Sequence, residues 1–205
     1  MISHLSLTRF IAAALVAGAS LALPACKSHN TTTSVSGSVA SFTPDIAAPG
    51  ANTVALLPGS ASGPTVNVRV TVTGVPTFFG AAFRVKYDTL ALRFNGMDDT
   101  GSFLRAGGIP TDHLVFLADS TSAPGQIIIT ATRVDPVAWP AVAVTATSDL
   151  VVLNFTAILS TVAATAEGRL DFGDPKQVCD GTVTPPGCGS VAVTSPWPGG
   201  GVSAK

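Results

Sequence analysis

An all-β fold, a sandwich of two packed sheets, follows from three observations on this sequence. The stretch Val66 to Asn95 opens with strict alternation, Val66, Val68, Val70 and Val72 on one face and Asn67, Arg69, Thr71 and Thr73 on the other. Period-two patterning in β-branched residues is the signature of a half-buried strand. The composition, rich in Ala, Val, Thr and Gly with 15 Pro and a single Glu, Glu167, suits sheets and turns and not helices. Turn signals recur roughly every ten to fifteen residues, the spacing a sandwich of ordinary strands requires. No internal repeat and no useful amphipathic helix interrupts them.

The elements follow in chain order. Residues 1–25 read as a signal peptide: Arg9 is the positive flank, and Phe10 to Leu23 is an apolar run of 14 residues. That is short of the ~20 needed to span a bilayer. Leu23-Pro24-Ala25-Cys26 follows and resembles the bacterial lipobox, whose Cys is diacylated and becomes the mature N-terminus; Pro24 is uncommon at its place. Ordinary cleavage after Ser20-Leu21-Ala22 is the alternative. Residues 26–50 read as a flexible tether of Ser, Thr, Gly and Ala with Pro44 and Pro49, too polar to bury a core. Lys27 after Cys26 points to the outer membrane or the cell surface, by resemblance to known sorting behaviour.

The domain is expected over 51–205, opening with a strand at Val54 to Leu57. After Val66 to Thr73, the Gly74-Val75-Pro76 break leads to a strand with Phe83, Val85 and Tyr87 inward and Ala82, Arg84 and Lys86 outward. Tyr87 to Leu90 turns the chain into Leu90 to Phe94. Leu114 to Ala118 is an apolar run, and Ile127 to Arg133 reads as partly buried on both sides. Trp139 sits in the loop bracketed by Pro136 and Pro140. In Leu150 to Leu159 the inward set is Val151, Leu153, Phe155, Ala157 and Leu159, with Val152, Asn154 and Thr156 outward. Ala166 to Phe172 and Gly189 to Thr194 close the domain, with Val202 as a further edge.

That order resembles cohesin domains and their carbohydrate-binding-module relatives. The resemblance rests on an alternating strand ending in Gly74-Val75, a small-residue approach to a strand closing on Tyr87-Asp88, and the turn that follows it. It continues at Gly101-Ser102-Phe103-Leu104, at Gly125 to Arg133, and at Asp149 to Ala157. It implies a nine-stranded β-sandwich of jelly-roll type that binds a protein partner without catalysis. In cellulosomal cohesins an Asn and an Asp upstream of the Tyr-Asp pair hydrogen-bond the dockerin helix. Aligned on Tyr87-Asp88, those positions fall on Gly80 and Ala82, which offer no such bonds.

Chemistry narrows the remaining classes. A net charge of −1 leaves no basic footprint for nucleic acid. Beyond residue 50 there is one His, His113, and no Gly-x-Ser-x-Gly elbow, so an enzyme is not expected. The Asp residues sit mainly in turns, where local bonding accounts for them. No cofactor is expected. A structural calcium is a minor reading, on Asp98 and Asp99 in one loop and Asp171, Asp174 and Asp180 in another. With Cys26 acylated, Cys179 and Cys188 remain as a disulfide pair in an oxidising compartment, worth roughly 2–3 kcal/mol over so short a loop; a metal site is the rival.

Binding is expected on the sheet face that carries Arg84, Lys86, Thr130 and Asn154, taking a protein partner. The alternatives are a polysaccharide, held by Trp139 and Trp197 if they share one surface, and a structural envelope lipoprotein. The membrane is reached through the N-terminal lipid alone.

Overall fold

The computed structural model describes residues 38–135, 137–180 and 197–205, with only the backbone of Asp180. Eleven strands run through them: β1 Ala40–Pro44, β2 Thr53–Ser62, β3 Thr65–Thr73, β4 Val75–Lys86, β5 Leu92–Asp98, β6 Leu114–Asp119, β7 Gln126–Arg133, β8 Val142–Val144, β9 Ser148–Ala157, β10 Arg169–Asp180 and β11 Gly200–Ala204. They form two sheets. The larger has the order β1-β11-β10-β4-β7-β6, with β8 also on β4; the smaller is β2-β3-β9-β5. Every registered pair is antiparallel.

One core lies between the sheets. Val66, Val68, Val70 and Val72 of β3 are at most 1% exposed, as their alternation requires. Opposite them stand Ala81, Phe83 and Val85 of β4 and Ile127, Ile129 and Ala131 of β7, all buried. Phe155 of β9 packs against Tyr87 and Phe94 with ring centroids 5.6 Å away in each case. Full burial of a side chain such as Phe155 is worth about 1.5–3 kcal/mol. The phenol of Tyr87 is half-buried, and that burial raises its pKa above 10.0.

Three expectations need correction. The tether does not extend to residue 50: Ala40–Pro44 is an edge strand, paired with Gly200–Ala204. Its short alternation, with Ala40 and Phe42 buried, was hidden among Ser and Pro. Among the described residues the strands number eleven against the nine expected, with β1, the brief β8 and β11 joining eight of those. Leu159 does not continue the inward set of β9, because the strand ends at Ala157 and Leu159 is exposed. The strand expected at Gly189 to Thr194 lies outside the described residues, as do Cys26 and Cys188.

Edges are covered where two sheets would otherwise gape. Leu56 of β2 donates its N–H to the Pro198 carbonyl at 3.1 Å, and Ala40 donates to Gly63 at 2.7 Å. These bonds close the β1–β2 side and blunt an edge open to aggregation.

Candidate functional site

The outer face of the larger sheet gathers most of the expected binding residues. Its pleat turns Ala81, Phe83 and Val85 of β4 inward, so Ala82, Arg84 and Lys86 face out. On β7 the same parity exposes Gln126, Ile128, Thr130 and Thr132. Register then fixes neighbours: Ala82 lies beside Thr130 and Arg84 beside Ile128. On the far side of β7, Leu117 pairs with Thr130, Asp119 with Ile128 and Val115 with Thr132. Four strands at the usual spacing, β10-β4-β7-β6, make this face roughly 15 Å wide.

Two glycines shape it. A Cβ on Gly80 would come within 2.3 Å of Thr132 Oγ1 and 2.4 Å of its Cβ. The Thr132 side chain therefore lies over β4, in the space where the resemblance expects a polar contact residue. A Cβ on Gly173 of β10 would meet Lys86 Cε at 2.7 Å. The Lys86 stem thus crosses β10 and keeps its ammonium in water.

The face is apolar along its β6 edge and cationic on β4. Leu117 is 54% and Val115 39% exposed, and Ile128 is half-buried between Asp119 of β6 and Arg84 of β4. Among the described residues neither Arg84 nor Lys86 has an ion-pair partner. Asp119 is occupied locally: Thr121 N–H and Oγ1 each donate to Oδ1 at 2.8 Å, and the Ser122 hydroxyl donates to Oδ2. The Ser122 hydroxyl, then the Thr121 amide, hold this carboxyl well below the usual range.

Other expected residues lie elsewhere. Asn154 is on β9 of the smaller sheet, beside Asn67, and faces out on the opposite side of the sandwich. Outward parity was read correctly for Asn154, but parity does not say which sheet a strand joins. Trp197 packs inward, its ring centroid 5.0 Å from Phe172 and 5.6 Å from Phe83. Trp139 lies in the loop after β7 with the His113 ring 6.0 Å away. The two indoles share no aromatic neighbour and form no common platform. Leu117, Val115 and Ile128 share this face with Arg84, Lys86 and Thr130, a placement the sequence reading does not anticipate. Their signal was present in Leu114 to Ala118, where apolar side chains on both parities must leave some outside.

The ends of the sandwich hold structural devices. Arg133, 7% exposed, reaches the carbonyls of Leu104 and Ala106 with Nη2 at 3.1 and 3.2 Å and that of Pro140 with Nη1 at 2.5 Å. Burial lowers its pKa, and the carbonyls compensate by tying two loops to β7. Asp98 accepts from the Thr100 amide and hydroxyl at 2.9 and 2.7 Å, and Asp99 is ion-paired with Arg105. Among the described residues, no group of three or more His, Cys, Asp and Glu is arranged to hold a metal ion.

With the fold and the face described, comparison with known proteins becomes informative. The cohesin domain model matches residues 53–177. This chain belongs to the cohesin family. A type II cohesin domain from the cellulosome of Acetivibrio cellulolyticus superposes with a TM-score of 0.52 at 16% identity, covering 80% of this chain and 94% of that one. A cohesin module from a family 33 glycoside hydrolase of Clostridium perfringens gives 0.38 at 16% identity, over 69% and 82% of the two chains. The third ScaC cohesin of Acetivibrio cellulolyticus, solved in complex with the ScaB dockerin, gives 0.42 at 16%, over 57% and 76%. No curated protein matches this chain. The cohesin match covers β2 to most of β10, so the strands of the candidate face lie within it, whereas β1 and β11 are outside it.

Proposed function

We propose that this cohesin domain is a non-catalytic module that binds a protein partner through the outer face of its larger sheet. One observation carries the reading: an exposed apolar edge on β6, Leu117 with Val115, and the neighbouring Ile128 of β7 stand beside Arg84 and Lys86, which make no ion pair among the described residues. Interfaces combine such apolar surface with charge that steers the encounter. The partner is acidic where it meets β4. With Gly80 and Ala82 at the positions of the family's polar contacts and Thr132 filling the first, recognition is by apolar packing and charge, not by an Asn–Asp pair.

Partner capture from the native envelope extract tests this. Arg84→Glu with Lys86→Glu should weaken capture at least tenfold, most strongly at low salt, with stability within about 0.5 kcal/mol of wild type. Undiminished capture by the double variant would sink the proposal. We further propose export, a diacylated Cys26 in the cell envelope, and a Cys179–Cys188 bridge anchored on the buried Cys179. Cys26→Ala should release the chain from membranes, and the unreduced protein should yield one cross-linked peptide by mass spectrometry. Nothing in the arrangement of Trp139 and Trp197 favours the polysaccharide reading.

A further inference from the structure

One end of the sandwich is apolar and lies where the chain enters it. There Val39 donates its N–H to the Lys205 carbonyl at 2.9 Å, and Ala40 donates to Gly63 at 2.7 Å. At the same end Ala157 donates to Pro64, and Ile158 donates to Ala91, both at 2.8 Å, which seats the segment after β9 against the turn before β5. On these segments Val39 is 65%, Leu90 77%, and Ile158 and Leu159 each 42% exposed. Leu90 is held out by its turn, since its own N–H donates to Asp88 Oδ1 at 2.8 Å. Residues 158–166 contain no charge at all.

We infer that this rim, Leu90 with Ile158 and Leu159 and flanked by Val39, rests on a lipid bilayer. The inference rests on the proposed acylation of Cys26. Lys27 to Val39 is the whole connection between that residue and β1, 13 residues. Taken as the coil its composition implies, a connection of that length spans about 20 Å r.m.s., so an acylated Cys26 would hold this end of the sandwich nearest the membrane. The boundary between headgroups and acyl chains accepts such branched aliphatic side chains, and the charges that share this end, Asp88 and Lys205, lie at headgroup depth. The tether keeps them at high effective concentration there, so a contact too weak to bind a free protein is populated in an anchored one. Both sheets then run away from the membrane, and the face carrying Arg84 and Leu117 stands upright beside it, open to a partner.

Fluorescence quenching by bromine on the upper acyl carbons tests the orientation. The lipidated protein is reconstituted in phosphatidylethanolamine and phosphatidylglycerol vesicles. Trp139 follows the far end of β7, and Trp197 precedes Gly200, the end of β11 that pairs with Pro44 away from the rim. Wild-type emission should therefore be unchanged by bromolipid. Leu90→Trp should lose the emission its third tryptophan adds, whereas Ile46→Trp, between β1 and β2 at the opposite end, should lose none. Absence of quenching in Leu90→Trp, or equal quenching in Ile46→Trp, overturns the inference when mass spectrometry shows Cys26 diacylated. An unmodified Cys26 overturns the acylation reading itself, and the rim proposal with it, by a separate measurement.

Discussion

The two outer faces of this sandwich are built on the same pleat and reach opposite outcomes. On the smaller sheet, polar side chains consume one another. Arg69 pairs with Asp149 at 2.6 Å, Asn95 donates to Thr156 at 2.8 Å, Arg93 to Asn95 at 3.1 Å, and Asn67 to Ser60 at 2.8 Å. On the larger sheet, Arg84 has Ile128 and Gly173 as cross-strand neighbours, and Ala82 has Thr130. The neighbours of Arg84 cannot satisfy a guanidinium, and the carboxylate opposite Lys86, Asp171, is held by Arg169 at 2.7 Å. The difference is therefore one of partners and not of residue type, because both faces carry cations. A face that has spent its hydrogen bonds internally gains little from a ligand. One that has not can gain both charge contacts and apolar burial.

The largest effect comes from what the faces share. Phe83→Ala on the larger sheet and Phe155→Ala on the smaller should each cost about 3–5 kcal/mol, read from urea midpoints. Both rings are at most 2% exposed and belong to one core. A cost well under about 1 kcal/mol for either would mean the sheets do not depend on a common interior. Next comes Gly80→Asn, which restores the kind of residue the family resemblance expects at that point. It should lose stability by about 1–3 kcal/mol through overpacking, since its Cβ would fall on Thr132. Pairing it with Thr132→Ala should recover part of that loss, a coupling expected only of neighbours.

A smaller stability effect, but a decisive one for the comparison, comes from exposed positions. Leu117→Asp should weaken partner capture about tenfold, near 1.4 kcal/mol, while shifting the urea midpoint hardly at all. Asn154→Asp on the opposite face should change neither. If Asn154→Asp weakened capture as much as Leu117→Asp, the two faces would not differ as proposed.

Much of this was legible from local pattern, and the losses have physical causes. The alternation of β3 and β9 gave both their existence and their inward sets, because a buried face dictates period two. β1 was missed because five residues, ASFTP, hold too short an alternation to stand out from a Ser- and Pro-rich segment. Asn154 was placed on the wrong sheet because its strand's partners are far away in sequence; Val66 pairs with Phe155, and no local signal specifies that. Leu117 was overlooked because an apolar run conceals which parity is outside. Pairing across the chain, not propensity, decided each of these.

The smallest effect probes a saturated corner on the larger sheet itself, where Arg169 donates to both oxygens of Asp45 at 2.6 Å and to Asp171 at 2.9 Å. This corner behaves like the smaller sheet's face, so the contrast follows local partners and not sheet membership. The Arg169 hydrogen bonds hold the Asp45 carboxyl below its ordinary 3.8, against a lesser opposing effect of burial. A depressed carboxylate adds stability that is complete above its unfolded value and fades as pH falls through its folded one. The contribution is thus present at neutral pH and is lost below about pH 4. Both partners are about one-third exposed, 37% and 35%, so solvent screening limits it to under about 1 kcal/mol. Asp45→Asn should therefore lower the urea midpoint slightly at neutral pH and not at all in acid, flattening this part of the acid limb. An equal loss at both pH values would mean that Asp45 acts through packing of β1 against β10 and not through its charge.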